Sequence, residues 1–491
     1  MIRVVETVNR HTQEGTFWVS TLRLVSHRRP QIRIGAPDPT LTGSAGLLGV
    51  AELAGKLGAV EVIDDAVGSA FKQRRRGCSA GEFVLAMACA QLAGADHLVG
   101  LDHRRSDRVT EQFWTHQTPA SSSVTGLARR LDDDAWGKVL RATAELTRRV
   151  LRVVSPMARA RLLAGPPTID LDATDIEVYG RKKAGVTYNY LGQRSGRVHA
   201  ASWAEAGQLA AARLTDSRTT AYTQAVELVE QALGWLDQAG IAWDPQQRPR
   251  VRADIGYCSK DIAAGIVGAG ADFAIGIQRQ PKIWHLLQRI DDSSWQPAQD
   301  MDRAEVAVLD YPYRGWPRGT RLIVRRVRHQ VDAIGEDLRA RRHRTLPPGQ
   351  LTLALEQGLE QIYGYSFILT NLDISTSSRA AEVEHWHRHR TDIEELFKQA
   401  KHGAALRHLP SGDAAVNLAW VHSAFLAVAL TSWLNLVLER ATRVGVIRWR
   451  RELINQPGRL VQHARQVILR CTTTSPLPEI LSRIRALPAT P

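Results

Sequence analysis

IDLDATD, Ile169 to Asp175, alternates apolar and polar residues. A period of two belongs to a β-strand, so Asp170 and Asp172 share one face and Asp175 lies just past the strand's end. RVHAASW (197–203) and QLAAARL (208–214) read as two further short strands, followed by a helix from about Ala221 to Leu236. PRVRAD, ending at Asp254, gives a fourth strand, KDIAAGIVGAG a second helix and DFAIGI a fifth strand.

Three strands, helix, strand, helix, strand is a mixed α/β order, that of an RNase H-like fold. A carboxylate at the end of an apolar strand costs free energy unless it is paired or metal-bound. That singles out Asp172, and Asp254, which closes VRAD before a turn at Gly256. Taken alone, each also reads as a turn or cap residue.

The texture of the chain changes around this core. Residues 1–160 read as a mainly helical N-terminal DNA-binding region without strand-like runs, its first 30 or so an extension. Arg74 to Arg76, and SSSVTGLARR ending in Arg129 and Arg130, offer cations and a helix start to phosphates. Asp132 to Asp134 fan around a helix and suit its N-terminus better than a metal. The catalytic domain is expected over 165–445, interrupted at 279–364 by a small β-rich insertion containing RLIVRRVRH. YSFILTNLD, Tyr365 to Asp373, reads as one more buried strand, and 446–491 as a basic, helical C-terminal tail.

Composition narrows the function. Among 491 residues, 64 Lys and Arg against 50 Asp and Glu give a net charge of +14, which attracts polyanions such as nucleic acid. The four cysteines are scattered, without a CxxC pair, and imply neither a zinc site nor a disulfide framework. The N-terminus lacks the basic start and apolar core of an export signal, so a reducing cytoplasm is expected. Ala414 to Leu438 holds no Asp, Glu, Lys or Arg, but its Asn417, His422 and Asn435 favour a helix buried in a large core over a membrane span.

A third acid comes from HRHRTDIEELFKQAKHG, His387 to Gly403. On a regular helix at ~100° per residue, His387, Arg390, Glu394 and Lys401 make one stripe. Trp386, Ile393, Leu396, Phe397 and Ala400 form the adjacent apolar face, and Asp392 and Glu395 point to solvent. The plain alternative is an i,i+4 surface pair between Arg390 and Glu394. Three carboxylates suit two divalent ions, which need hard oxygen ligands and can activate a nucleophile for attack at phosphorus.

DLDATD, RADIGYCS, YSFILTNL and RTDIEELFKQAKHG together resemble the DDE transposases of bacterial insertion sequences, of the group called transposase DDE domain group 1, over roughly Pro37 to residue 445. The last motif is similar to the family's Y-x2-R-x3-E-x6-K signature, with His387 in the Tyr position and Ile255 where a small polar residue is common. The resemblance implies that Asp172, Asp254 and Glu394 are the catalytic metal ligands, for two Mg2+ ions with Mn2+ as a substitute. It implies that Arg390, Lys401 and His387 contact DNA, with Asp170 and Asp175 in support. It also implies terminal inverted repeats and target DNA as partners, a homodimer on the DNA, no membrane, and a bacterial cytoplasm with nucleoid association when DNA-bound. A nuclease that hydrolyses without joining strands, or an inactive DNA-binding relic, are the competing readings. His385 and His389 lack a Cys partner or a HExxH pattern for zinc. Trp284, Trp295 and Trp316 of the insertion suit either a stacked base or a packed core.

Overall fold

The computed structural model describes residues 4–12, 15–23, 34–180, 182–331 and 356–488. The chain divides into two compact units, Met1–Pro39 and Thr40–Pro491. The first is an antiparallel hairpin of β1 (Val4–Thr12) and β2 (Gly15–Arg23), paired from Val4↔Arg23 to Thr12↔Gly15. This corrects the expectation of an N-terminal region without strands. VVETVNRHT and GTFWVSTLR are rich in β-branched and aromatic residues, and pairs such as Val8↔Val19 set them side by side.

In the second unit, a short strand β3 (Leu41–Thr42) leads into helices α1 (Leu47–Leu57), α2 (Ala59–Val67), α3 (Ala80–Ala93) and α4 (Asp133–Val153). Ser79 and Glu82 form a capping box on α3. Asp132 caps α4 by accepting from the Ala135 amide at 2.9 Å, as an acid at a helix N-terminus should.

The strands are β4 (Thr168–Glu177), β5 (Thr187–Tyr188), β6 (Arg194–Trp203), β7 (Gln208–Asp216), β8 (Arg250–Ala253), β9 (Asp272–Gly276), β10 (Gln296–Pro297), β11 (Ala304–Asp310), β12 (Arg321–Gln330) and β13 (Gln361–Thr370). They form one mixed sheet in the order β10-β11-β12-β13-β9-β8-β4-β6-β5, with β7 also paired to β6. β4, β8 and β9 run parallel, whereas β6 is antiparallel to both β4 and β7. Helices α5 (Ala225–Gln238) and α6 (Lys260–Gly268) connect β7 to β8 and β8 to β9.

The insertion is not a separate subdomain. β13 pairs antiparallel with β9 and β12, and β12 with β11, so these strands extend the same sheet. An apolar strand such as YSFILT must pair its backbone on both edges, and the insertion supplies the second partner. Residues 332–355 of the expected insertion lie outside the described residues.

One face of the sheet carries Ile169, Leu171, Val251 and Ala253, packed with Leu228 and Val229 of α5 and Ile262 and Ile266 of α6. A second core gathers α1 to α4, Ile176, Val198, Ile393, Leu396, Phe397 and helix α9 (Ala414–Val437). The N-terminal helices therefore share their core with strands β4 and β6 instead of packing by themselves. Among the described residues, α9 is the one helix long and apolar enough to cross a membrane, and 83% of its apolar window is buried inside the protein. Several of its polar groups find partners: Trp433 donates to Thr147 at 3.1 Å, Ser432 to the Ala206 carbonyl at 2.9 Å, and Gln91 donates to the Trp420 carbonyl at 3.1 Å.

The C-terminal tail is not all helix. β14 (Gly458–His463) and β15 (Gln466–Cys471) form a hairpin on β3, before a final helix at Leu477–Ala486. RLVQH and QVILR carry the β-branched Val461, Val467 and Ile468, which favour strands over a basic helix.

Candidate active site

The parallel register of β4 and β8 sets Asp170 opposite Arg252 and Leu171 opposite Ala253. One step further, where the parallel pairing stops, Asp172 lies midway along β4 and Asp254 directly follows β8, on the carboxyl side of the parallel run, where open α/β sheets carry their sites. Alternation puts all four polar residues on the face opposite the α5/α6 core.

Asp170 lies below the site, not in it. Its side chain is 0% exposed and that of Arg252 is 3% exposed, and Arg252 donates to it twice, at 2.6 and 2.8 Å. Arg252 also donates to the Trp386 carbonyl at 2.5 Å and to Asp392 at 3.3 Å. Burial pushes Asp170 up to about 7 against the pull of Arg252. Asp392 stays partly exposed to solvent, as expected, but also accepts from Arg252, and with Trp386 it ties its segment to β8.

Asp172 accepts from the Ala173 amide at 2.8 Å and from Arg390 at 3.0 Å. Burial raises its pKa, Arg390 opposes, and the neighbouring charge of Asp254 raises it further. Asp254 is half-buried and caps the turn Ile255–Tyr257, accepting from the Gly256 amide at 2.8 Å. Arg390 then reaches Glu394 at 3.6 Å, so one guanidinium joins the acid of β4 to the acid of the helical segment.

That segment is not a regular helix. α7 (Ser377–Arg388) stops, three-residue bonds such as Arg390 N–H to the His387 carbonyl at 3.1 Å tighten the chain, and α8 (Thr391–Lys398) starts anew. A π-helical turn, Gln399–Gly403, comes next. The expected stripe is therefore bent at both ends. His387 turns inward, its Nε2 lying 3.2 Å from the Ala253 carbonyl. Burial pushes it down to about 3, so the ring is neutral and donates to that carbonyl. Lys401 donates to the Asp175 carbonyl at 2.8 Å. Ile393, Leu396, Phe397 and Ala400 are buried as the apolar face requires. Glu395 is exposed on Lys398 at 3.1 Å.

Asp175 accepts two bonds from Arg197, at 2.7 and 3.1 Å, and one from Asn189 at 3.0 Å. Burial pushes its pKa up, but these donors bring it below the usual range. Sequence reasoning missed Arg252, Arg197 and Tyr257. Tyr257 is buried with no hydrogen-bond partner for its hydroxyl among the described residues. Burial, then the charges of Asp172 and Asp254, drive its pKa up. The Asp-capped turn in DIGY was the available signal for it.

The weaker candidates resolve into packing. Trp284 sets its face to the edges of Tyr365 and Phe367, Trp295 lies 4.1 Å under Arg326, and Trp316 meets Tyr311 edge-on at 5.6 Å. His385 pairs with Asp300 at 3.2 Å. Among the described residues, no group of three or more His, Cys, Asp or Glu stands ready to hold a metal ion. The donors that fit a hard divalent cation are Asp172 and Asp254, two carboxylates held close against burial and mutual repulsion. Glu394 is held one guanidinium away from joining them.

Away from the acids, a groove of about 740 Å³ is lined by Lys72, Arg74, Arg75, Arg76, Arg105 and Arg130. Arg130 donates to the Phe71 carbonyl at 3.0 Å, while Arg129 is engaged with Asp413 at 2.7 Å. The larger cavity, about 880 Å³ between α4, β7 and α9, contains none of the candidate acids.

The model of the family described as transposase DDE domain group 1 matches residues 25–336 and 353–489, and the chain belongs to that family. The match runs past both ends of the expected span and takes in the C-terminal hairpin. A search of curated proteins finds no match. Among solved structures, the cryo-EM structure of a piggyBac transposase synaptic complex with hairpin DNA is similar at 10% identity and a TM-score of 0.39, covering 83% of this chain and 79% of that one. A likeness that weak supports no inference about this chain.

Proposed function

We propose that this transposase has an RNase H-like catalytic core, β4, β6, β7, β8 and β9 with α5 and α6, and uses it to cut and join DNA at the terminal inverted repeats of an insertion sequence. The observation that supports the reading is that Asp172 and Asp254 each directly follow the last paired residues of β4 and β8, Leu171 and Ala253, with Glu394 linked to Asp172 through Arg390. Asp172, Asp254 and Glu394 would hold the metal. Two magnesium ions, with manganese as a substitute, would supply Lewis acidity toward the attacking oxygen and the leaving oxygen.

The chain's own residues do the rest. Arg390 and Lys401 hold positive charge at the acid cluster, where a scissile phosphate must be positioned. His387, neutral and turned to Ala253, clamps the Glu394 segment to β8, a positioning role in place of the expected DNA contact. The groove around Arg74 to Arg76 suits phosphates of the bound duplex. Attack by water forms one P–O bond as another breaks and frees a 3′-hydroxyl; that hydroxyl is the nucleophile in joining.

The test uses the full chain, magnesium and a plasmid carrying the DNA that flanks the gene on both sides. Asp172→Asn, Asp254→Asn and Glu394→Gln should each lose cleavage and joining together, by a factor of 10³ or more, roughly what one essential electrostatic group supplies, while duplex binding persists. Glu395→Gln, an equal charge change, should keep activity within about twofold, as a solvent-facing pair allows. A dead Glu395→Gln with a live Glu394→Gln refutes the site; cleavage without joining in the wild type favours a nuclease.

A further inference from the structure

The segment between β4 and β6 is built for display. Tyr179, Tyr188, Tyr190 and Leu191 are 87, 61, 87 and 64% exposed, a concentration of large apolar side chains that surfaces rarely carry without a partner. Three of them sit on a hairpin whose backbone is fixed from several sides. Asn189 donates its amide N–H to the Gln193 carbonyl at 2.8 Å and accepts the Gly192 amide at 3.0 Å. Gly192, at φ 74°, supplies the left-handed residue of a tight turn with a bulge. The Asn189 side-chain oxygen accepts from the Leu191 and Gln193 amides at 3.0 and 2.9 Å.

The same Asn189 ties the hairpin to β4. Its side chain is buried and donates to Asp175 at 3.0 Å, on the strand that carries Asp172. Alternation therefore turns Asn189 inward and its neighbours Tyr188 and Tyr190 outward. Tyr190 also lies within electrostatic reach of Arg197, the partner of Asp175. Lys182 is exposed on the same segment. The insertion tryptophans are spent on packing, whereas among the described residues this hairpin presents exposed aromatic rings and is bonded to β4 three residues along from Asp172.

We propose that Tyr188 and Tyr190, with Leu191, form a stacking platform for unpaired bases of the DNA strand whose phosphate lies at Asp172 and Asp254. The proposal rests on the reading of the acids as a DNA-cutting site, and it adds the ligand: nucleobases out of the duplex, not duplex edges. Rings with π-faces stack on any base, and neighbouring cations hold the backbone. A hairpin fixed before binding loses little conformational freedom when a base lands on it.

The experiment measures binding of two probes to the full chain: single-stranded oligo(dT) of twelve nucleotides, and a twelve-base-pair duplex. Tyr188→Ser/Tyr190→Ser should weaken oligo(dT) binding tenfold or more and duplex binding less than twofold. Tyr188→Phe/Tyr190→Phe should bind as wild type, since stacking needs the ring and not the hydroxyl. Both variants change exposed side chains, and unfolding midpoints equal to wild type show that they fold. If the Ser variant binds oligo(dT) as wild type does, or the Phe variant loses as much as the Ser variant, the platform is wrong while the cutting site stands. If the Ser variant keeps oligo(dT) binding but dissociates a self-associated form, the platform is overturned in favour of contacts with a second copy. Wild-type protein that binds neither probe removes the DNA-cutting reading itself.

Discussion

Arg252→Met tests whether one buried cation holds the third acid in place. Asp170 is fully buried and Arg252 gives it two hydrogen bonds, at 2.6 and 2.8 Å. Removing one side of a buried pair costs about 3–5 kcal/mol, because the remaining charge has no water to turn to. The broken bond to the Trp386 carbonyl adds about 1 kcal/mol. Asp392, 41% exposed, adds under ~1 kcal/mol because solvent screens it. The sum, about 4–6 kcal/mol, should appear as a lower urea midpoint in tryptophan fluorescence, compared at a common measured slope.

The pH dependence gives the sharper result. Burial holds Asp170 up near 7 in the wild type, above its unfolded value, so its neutral form is the one folding favours. Stability from this group is complete below the unfolded pKa and is lost as pH rises through the folded one. Without Arg252 the folded pKa rises further. Below about 7 both proteins carry a neutral Asp170 and the gap between them narrows to the missing hydrogen bonds; above it, only the wild type accommodates the charge and the gap widens. A gap that stays constant from pH 5 to 9 would refute this protonation argument. A gap under ~1 kcal/mol at pH 9 would refute the anchor itself, being no more than a surface pair is worth. Asp170→Leu/Arg252→Met should regain most of the stability, since two apolar residues replace the pair, yet remain poor in cleavage because Trp386 and Asp392 no longer have their tether.

Two further outcomes rest on single environments. His422 is buried against Trp136 with ring centroids 4.7 Å apart, and burial pushes it down to about 3; folding stability should therefore fall as pH drops from the unfolded value of about 6.5 toward 3, and less so in His422→Phe, which keeps the ring contact but cannot titrate. Equal acid sensitivity in urea melts of the two proteins would show that His422 is not a titrating group there. In the basic groove, Arg74→Ser/Arg75→Ser/Arg76→Ser should weaken duplex binding and flatten the salt dependence by about 0.9 in log–log slope for each phosphate no longer neutralised; an unchanged slope in a fluorescence-anisotropy salt titration would leave the groove without a DNA role.

What the sequence made legible was whatever depends on local period and punctuation. IDLDATD, RVHAASW, QLAAARL, PRVRAD and DFAIGI each carry a strand's signature within a few residues, and the turn at Gly256 marks where Asp254 must sit. The polar residues scattered along Ala414 to Leu438 announced a helix inside the protein. The missed features depend on partners far away in the chain. Arg252 looks like any basic residue in PRVRAD until the register of β4 and β8 sets it against Asp170, 82 residues earlier. No periodicity of 279–364 says whether its strands make their own sheet or join an existing edge. The regular helix assumed from His387 to Gly403 failed for a similar reason: Arg252 draws on both the Trp386 carbonyl and Asp392, and α7 and α8 meet between those two residues at a tightened turn.

That break bears on how the acids can stand together. The charge of Asp254 already adds to the cost of ionising Asp172, and a third carboxylate brought against it by a straight, rigid helix would add more. Arg390, at the joint between α7 and α8, offsets this by bonding Asp172 at 3.0 Å while standing 3.6 Å from Glu394. It occupies the charge position that a divalent cation would take, and does so with a single positive charge on a planar fork. On the proposed reading, Asp172 and Asp254 would hold a metal only with Arg390 released from Asp172, which would leave its fork free for the phosphate. Arg390→Lys keeps the charge but not the fork, so it should impair cleavage more than it impairs folding. A Lys variant that cleaves like the wild type at limiting magnesium would show that Arg390 only balances charge, and that the geometry of the joint has no part in assembling the site.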